Sequence, residues 1–138
     1  MAETLKLEIV TPEAKIYSEE VEMVTLPGSE GELGIYPNHV PLMTQVHAGE
    51  IIVNRDGAEE VLAVGEGFIE VTGDHVAILT DNAANSSDID EAAAEEAKAK
   101  AEQRLEEGGD ISEEEAKALT HAILYSRAQI TAKRRKRG

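Results

Sequence analysis

The residue types of this chain change sharply at Ser86. All four prolines precede that serine, whereas alanine, glutamate and lysine dominate the residues after it, with one Gly-Gly break. Proline and glycine punctuate short strands and turns, while alanine, glutamate and lysine are strong helix formers. The sequence of 138 residues therefore predicts two units: an all-β domain over residues 1–86 and a helical domain over residues 87–138.

The first unit carries the alternation expected of half-buried strands. In "LKLEIV", Leu5, Leu7 and Ile9 share one face, and the charged residues between them share the other. Two longer stretches each consist of apolar runs around a turn signal, "DG" at 56–57 and "GD" at 73–74. Several short strands without an intervening helix predict a β-sandwich or barrel.

The second unit shows two helices with their end signals. Asp88 is a candidate N-cap of the first helix, Gly108-Gly109 ends it, and Ser112 with Glu115 forms a capping box that opens the second. The short connection predicts an antiparallel hairpin. The predicted docking faces are Ala93, Ala97, Ala101 and Leu105 on the first helix, and Ala116, Leu119, Ile123, Ser126 and Ile130 on the second.

The shared face of this hairpin is mostly alanine. At about 25 cal/mol per Å² of buried apolar area, such a seam stabilises the docked state by only a few kcal/mol. The helices could therefore persist while the hairpin exchanges one docking partner for another. Physics alone, however, favours a passive hairpin that never leaves the sandwich.

Charge is distributed unevenly over the chain. The formal net charge is −15, and the acidic excess precedes a basic tail, "KRRKRG". An acidic surface argues against general nucleic-acid binding. The chain has no cysteine, its first ten residues resemble no signal peptide, and its apolar runs are too short to span a bilayer. We expect a soluble, cytoplasmic protein, with no direct insertion into lipid.

The most distinctive stretch is a glycine-punctuated loop, "GSEGELGIYPNHVPLMT" at residues 28–44. It is not a nucleotide-binding glycine loop, because its spacing differs from G-x-G-x-x-G and no helix follows it. The four histidines are scattered without the spacing of a metal site. The residues give no positive case for an enzyme.

Together these motifs identify a resemblance. The β-rich unit with "GELGIYPNH" followed by proline, then "GEGFIEV", "VAILTD" and "DIDEA" opening an alanine-rich hairpin, resembles the epsilon subunit of bacterial F-type ATP synthase. The similarity spans the chain in the right order, and the loop is its most specific part. The resemblance implies a non-catalytic subunit of the rotor, peripheral on the cytoplasmic side of the bacterial inner membrane.

The resemblance also implies partners for the sandwich. One side would contact the gamma subunit, and the glycine-rich loop would rest on the ring of c subunits. Glu32 and His39 match family positions at that rim, and Tyr36 lies between them. From the residues alone, Glu32 also fits an ordinary solvated carboxylate, and His39 fits a turn residue bonded to local backbone.

For the hairpin, the resemblance implies regulation of ATP hydrolysis. Folded against the sandwich it would be permissive, and extended along gamma it would enter the catalytic alpha/beta head and block hydrolytic rotation. The inhibitory tail would meet an acidic segment of the β subunit, although a solvated terminus remains the alternative. Its residues are Lys133, Arg134, Arg135, Lys136 and Arg137.

Some family members bind ATP between the two helices. Here Ile89, Asp90 and Ala94 match that motif, but the family's arginine positions hold other residues. Losing guanidinium groups removes bidentate phosphate contacts. The resemblance therefore implies no cofactor, or at most weak ATP binding. The substituted arginine positions are Ala93, Lys100, His121 and Tyr125.

Two other functions stay open at this point. The chain could be a free-standing acidic adaptor that binds a protein through its sandwich and carries a static hairpin. More remotely, it could be a small β-fold enzyme that uses His39 with Glu32. Association with a gamma subunit separates the rotor subunit from the adaptor.

Overall fold

The computed structural model describes residues 3–28, 31–38 and 40–137. Within them, β-strands come first and α-helices last, which confirms the predicted fold class. The strands are β1 (Leu5–Val10), β2 (Lys15–Val21), β3 (Met23–Gly28), β4 (Gly31–Ile35), β5 (Leu42–Val46), β6 (Gly49–Arg55), β7 (Ala58–Val64), β8 (Gly67–Thr72), β9 (His75–Thr80) and β10 (Ala83–Asn85). A 3₁₀ turn (Ser86–Asp88) leads to α1 (Glu91–Glu107) and α2 (Glu113–Arg137).

The strands form one continuous sheet that folds over itself into a sandwich. The order is β10-β7-β6-β3-β5-β8-β9-β1-β2, and β4 pairs with β3 beside this path. Strand pairing continues from one layer of the sandwich to the other at Gly28 of β3, which pairs with both Gly31 of β4 and Val46 of β5. β1 and β9 are parallel, and the other described pairs are antiparallel.

Turn chemistry fixes the two predicted hairpins. Asp56 and Gly57 join β6 to β7 with positive φ angles of 53° and 76°. Gly73, at φ 57°, turns the chain between β8 and β9. Consecutive residues with positive φ give a twist that matches that of the flanking strands. Both predicted hairpins are confirmed.

The sandwich is filled by aliphatic side chains from both layers. Leu5, Leu7 and Ile9 are fully buried, as their alternation predicts. The other members of this main cluster are Tyr17, Val21, Val24, Leu26, Ile35, Val46, Ile51, Val53, Leu62, Val64, Ile69, Val71, Val76 and Ile78. All of them precede the helices, so the core of the sandwich is complete without the hairpin.

The first helix starts later than predicted. Asn85 caps the 3₁₀ turn that contains Asp88, and Ile89 is then extended and buried. Only Asp90 is placed to cap α1, where its Oδ1 accepts a hydrogen bond from the Ala93 N–H at 3.1 Å. The predicted N-cap at Asp88 is therefore wrong, because burial of Ile89 separates the 3₁₀ turn from the α-helix.

The connection between the helices follows its sequence signals. Gly108 ends α1 with a φ of 63°. The Ser112 hydroxyl accepts a hydrogen bond from the Glu115 N–H at 3.0 Å, as an N-cap does. The Glu115 carboxylate, however, pairs with Arg104 at 3.4 Å across the hairpin. The contact joins the end of α1 to the start of α2, so the helices are antiparallel, as predicted.

The predicted docking face is correct for α2 and largely wrong for α1. In α2, Ile123, Ser126 and Ile130 are buried. In α1, the predicted Ala101 and the unpredicted Ala94 are buried, whereas the predicted residues Ala93, Ala97 and Leu105 are exposed. A strict four-residue spacing drifts around a helix with 3.6 residues per turn, so it cannot stay against one neighbour.

A second, smaller hydrophobic cluster joins the hairpin to the sandwich. Val61 and Ala63 of β7 pack against Ile89 and against Ala128 and Ala132 of α2. Most of the side chains in this cluster are small, and Ala84 and Tyr125 are partly buried against it. The weak seam predicted from the sequence was the face shared by the two helices, which is a different contact. None of the described helices is both long enough and apolar enough to cross a bilayer.

Gly67 is required by a close approach between neighbouring strands. A Cβ atom added there would lie 1.9 Å from the carbonyl oxygen of Leu79. Real Cβ atoms do not approach backbone so closely, and here no flexible side chain could yield. At Gly65 the nearest atom would be 3.6 Å away, which is ordinary contact.

We expect Gly67→Ala to lower the free energy of unfolding by about 2–3 kcal/mol, because β8 and β9 must separate locally. Gly65→Ala, the matched control, should change it by less than about 1 kcal/mol. Urea unfolding followed by circular dichroism measures both. Equal effects at the two positions would contradict the close approach.

Candidate interaction surfaces

The predicted rim is formed by β4 and the turn that follows it. Glu32 lies on β4 opposite Pro27 of β3, and its side chain is exposed. Tyr36 and Val40 are among the most exposed large hydrophobic residues of the described chain. The structure thus places Glu32 and Tyr36 on one edge, while His39 lies outside the described residues.

Two hydrogen bonds between residues far apart in the sequence hold Asn38 of the rim turn in place. Asn38 has a positive φ of 64°, and its N–H donates to Asp74 Oδ1 at 2.9 Å. Its side-chain amide donates to Glu3 Oε2 at 3.2 Å. The turn is therefore tied to the β8–β9 hairpin and to the first residues of the chain. These contacts fix the backbone at Asn38, two residues after Tyr36.

A second exposed surface covers the outer face of the layer that contains β8 and β9. Phe68 is 53% exposed and Leu79 is 52% exposed, and the two face each other across the strands. The row continues to Gln45 on one side and Val10 on the other. Large exposed apolar side chains in contiguous rows are typical of protein interaction sites.

A groove of about 530 Å³ adjoins this outer face. Phe68 and Leu79 line it together with His47, Glu66 and His121. His121 of α2 lies 3.2 Å from the Glu66 carboxylate, so the groove ends where the hairpin meets the sandwich. This surface was not predicted from the sequence, although apolar residues at outward-facing strand positions were a usable signal.

The residues predicted for ATP binding lie where the sandwich joins the first helix, and each has a structural role there. Ile89 is buried in the second cluster, Asp90 caps α1 and Ala94 is buried beside α2. Their proposed role with a nucleotide stays a prediction. Among the described residues, no group of three or more His, Cys, Asp and Glu side chains could hold a metal ion.

The basic tail is part of α2 and contacts three other elements. Lys133 Nζ donates to the Ser86 carbonyl oxygen at 3.1 Å. Arg134 contacts Glu91 and Glu95 of α1, and Arg135 contacts Glu50 of β6. The side chains of Lys136 and Arg137 lie outside the described part of the structure.

The sandwich matches a known family over residues 4–86. That family is described as "ATP synthase, Delta/Epsilon chain, beta-sandwich domain". The chain belongs to this family. The match covers more than half of the chain, and it confirms the resemblance inferred from the loop and strand motifs.

Bacterial relatives agree with this assignment. The chain is 48% identical over 71 residues to the ATP synthase epsilon chain of Desulforamulus reducens. The aligned region covers 51% of this chain and 54% of that relative. It is 46% identical over 68 residues to the ATP synthase epsilon chain of Pelotomaculum thermopropionicum, covering 49% and 51% respectively. The chain thus spans about half the length of the curated relatives it matches.

Solved structures with the same fold extend over both units. A chain from the mitochondrial ATP synthase of Euglena gracilis has a TM-score of 0.74 at 21% identity, covering 94% of this chain and 81% of that one. A chain from the mitochondrial ATP synthase of Tetrahymena thermophila has a TM-score of 0.58 at 12% identity, covering 95% and 97%. At these identities the likeness concerns the fold.

Beside the outer face, an ion-pair cluster links three strands. Glu8 of β1 contacts Lys15 of β2 and His75 of β9, the latter at 2.6 Å. The hydrogen bond from Lys15, followed by that from His75, lowers the pKa of Glu8 from 4.5 to about 2. Because the folded-state pKa is lowered, the charged form stabilises the native state above about pH 4.5, and this contribution is lost as the pH falls towards 2.

We expect the unfolding midpoint in urea to fall between pH 5 and pH 2 by less in Glu8→Gln than in the parent chain, since the variant lacks the carboxylate that must be protonated. The comparison is made at about five pH values by circular dichroism. Glu70→Gln, on the neighbouring strand β8, is the control and should follow the parent curve. Parallel curves for Glu8→Gln and the parent would rule out this contribution.

Proposed function

We propose that this chain is a non-catalytic subunit in the central stalk of a bacterial F-type ATP synthase. The observation that carries the proposal is the family match over the whole sandwich, residues 4–86. It is supported by the structural neighbours, which come from an assembly described as OSCP/F1/c-ring and from one described as central stalk/c-ring. In this proposal the chain works peripherally on the cytoplasmic side of the inner membrane.

The two exposed surfaces of the sandwich suit two different partners. The outer face with Phe68 and Leu79 presents apolar side chains, which suits a packed contact with the gamma subunit. The rim presents Glu32 and Tyr36 from a backbone tied down by Asn38. A carboxylate on a fixed edge suits the polar loops of the c-ring, where it would meet basic side chains.

The hairpin is proposed to restrain ATP hydrolysis after it leaves the sandwich. Its apolar contact with β7 involves few and mostly small side chains, so undocking costs little enough for new contacts to compensate. The main core lies wholly within the sandwich and would be unaffected by undocking. The alternative function is that of a free-standing adaptor. In that case the hairpin stays docked and the chain does not bind the gamma subunit.

Reversing the charge of Glu32 tests the rim. We expect Glu32→Lys to assemble normally but to reduce the proton or sodium ions pumped per ATP hydrolysed, by roughly twofold or more, because one favourable contact becomes repulsive. Ion pumping and hydrolysis are measured together in inverted membrane vesicles. Glu102→Lys, the same charge change on exposed α1, should leave the ratio unchanged, and an unchanged ratio in Glu32→Lys would remove this rim contact from the proposal.

Deleting residues 89–138 tests the regulatory role. We expect the fragment 1–88 to fold and to bind gamma, because its core is self-contained, and we expect hydrolysis by the reconstituted complex to rise severalfold. Rates are compared at equal concentrations of the catalytic head, with gamma binding as the control for assembly. Equal rates with intact gamma binding would leave the hairpin without an inhibitory role and favour the static alternative.

A further inference from the structure

The last described turns of α2 concentrate polar contacts to the rest of the chain. Three consecutive cations each contact a different neighbour: Lys133 the 3₁₀ turn, Arg134 the helix α1 and Arg135 the strand β6. The distances are 3.1 Å from Lys133 Nζ to the Ser86 carbonyl, 3.1 and 3.0 Å from Arg134 to Glu91 and Glu95, and 2.7 Å from Arg135 to Glu50. These contacts close the hairpin and attach it to the sandwich at the same place.

Two of the three carboxylates in these contacts, those of Glu50 and Glu91, are more shielded than the cations, whereas Glu95 is about as exposed as Arg134. The Glu50 side chain is 18% exposed and that of Glu91 is 20% exposed, whereas Arg134 and Arg135 are about half exposed. Partly buried charges are less screened by salt than fully exposed ones. The pairs that Glu50 and Glu91 form with Arg135 and Arg134 are therefore less weakened by salt than pairs between fully exposed groups.

The orientation of the two helices strengthens the attraction between Arg134 and Glu91. Because the helices are antiparallel, the C-terminal end of α2 lies beside the N-terminal end of α1. Cations favour a helix C-terminus, and carboxylates favour a helix N-terminus. Arg134 and Glu91 occupy these two positions, so the pair is favourable to both helices.

The apolar contribution at this place is small. The seam between α2 and the sandwich is formed by Ala128 and Ala132 against Val61 and Ala63, with Ile89 beside them. Ala84 and Tyr125 are partly buried against this cluster, and Tyr125 is the large side chain that α2 contributes to it. Alanine side chains bury little apolar area, so polar contacts account for a larger share of docking here than in a typical helix interface.

We propose that Lys133, Arg134 and Arg135 are a latch that holds the hairpin closed and docked on the sandwich through Glu50, Glu91, Glu95 and the Ser86 carbonyl. The two arginines of the latch are about half exposed, so an acidic partner can reach them and compete with these groups. Release of the hairpin therefore exchanges internal carboxylates for external ones, and an acidic protein segment competes for the latch.

The exchange gives the basic tail two opposing roles, an inference that rests on the proposed function. The family resemblance implies a role for the tail only in the inhibitory, extended state. With the latch, the same cations also stabilise the docked, permissive state, so neutralising them weakens both states. The effect of tail substitutions on hydrolysis then depends on which state loses more stabilisation, the docked one or the extended one. For this reason the latch itself is tested in the isolated chain, where only the docked state's contacts are present.

The test measures opening of the hairpin through a buried thiol. The chain has no cysteine, so Ala128→Cys introduces a single reporter, at a position that is 5% exposed against the sandwich. Its rate of reaction with an aromatic disulfide reagent is proportional to the open population when closing is fast. We expect Arg134→Gln with Arg135→Gln to raise this rate about tenfold, since each lost pair is worth up to about fivefold.

Matched variants separate the latch from a general change of charge or stability. Lys100→Gln with Lys117→Gln removes the same charge from the hairpin, where Lys100 pairs only with Glu96 of its own helix in the described structure. This control should change the rate by less than about twofold. A second reporter, Val71→Cys in the main cluster, should be unaffected by the latch substitutions unless the whole chain opens.

A charge exchange keeps the test decisive if a variant is poorly folded. Arg135→Glu should accelerate labelling, and adding Glu50→Arg should restore the slow rate. Raising the ionic strength from about 0.05 to about 0.5 M should accelerate labelling of the parent more than that of the Arg134→Gln, Arg135→Gln variant. Equal rates in the latch and control variants, or no rescue by the exchange, would overturn the latch.

The outcome is independent of the proposed function. The labelling experiment contains no other subunit, so a failed latch would leave the rotor role and the effect of deleting the hairpin untouched. Conversely, a hairpin that fails to affect hydrolysis could still be held by the latch in the isolated chain.

Discussion

Burial of β7 on both faces is the constraint on which the rest of the structure depends. Leu62 and Val64 of this strand enter the core of the sandwich, and the alternate residues Val61 and Ala63 contact the hairpin. One face of β7 thus packs in a large aliphatic cluster, and its other face packs in a small alanine-rich cluster. Because the two clusters differ so much in size, loss of the second need not disturb the first.

This arrangement leaves separate surfaces for separate contacts. The hairpin covers the outer side of the β6–β7 layer, while Phe68 and Leu79 remain exposed on the outer side of the opposite layer. The rim with Glu32 and Tyr36 lies on β4 and its following turn. The three surfaces therefore lie on different parts of the described sandwich, and the outer face comes next to the hairpin only at the groove that His121 lines.

Ion pairs and hydrogen bonds add to the small apolar contact between α2 and β7 in holding the hairpin on the sandwich. A chain with a net charge of −15 places five consecutive cations at its end, and the three whose side chains are described contact internal acceptors. Elsewhere, Glu8 joins β1 to both of its neighbouring strands through Lys15 and His75. Polar contacts of this kind are weak singly, yet they select one arrangement among several that the apolar surfaces would tolerate.

By itself, the sequence determined the features that depend on local chemistry. Alternation placed Leu5, Leu7 and Ile9 in the core, and the "DG" dipeptide at 56–57 set the β6–β7 turn. Glycine and serine signals ended α1 and opened α2, and the loop motif indicated the family. Each of these follows from backbone geometry or side-chain spacing within a few residues.

Only the tertiary structure decided which neighbour covers each face. The N-cap of α1 lies at Asp90 because Ile89 is drawn into a cluster with β7 and α2. The buried face of α1 passes through Ala94 because α2 lies there, although several alanine rows were equally apolar. Phe68 and Leu79 remain exposed, and the basic tail meets Glu50 from far along the chain, because long-range packing sets these positions and no local pattern encodes it.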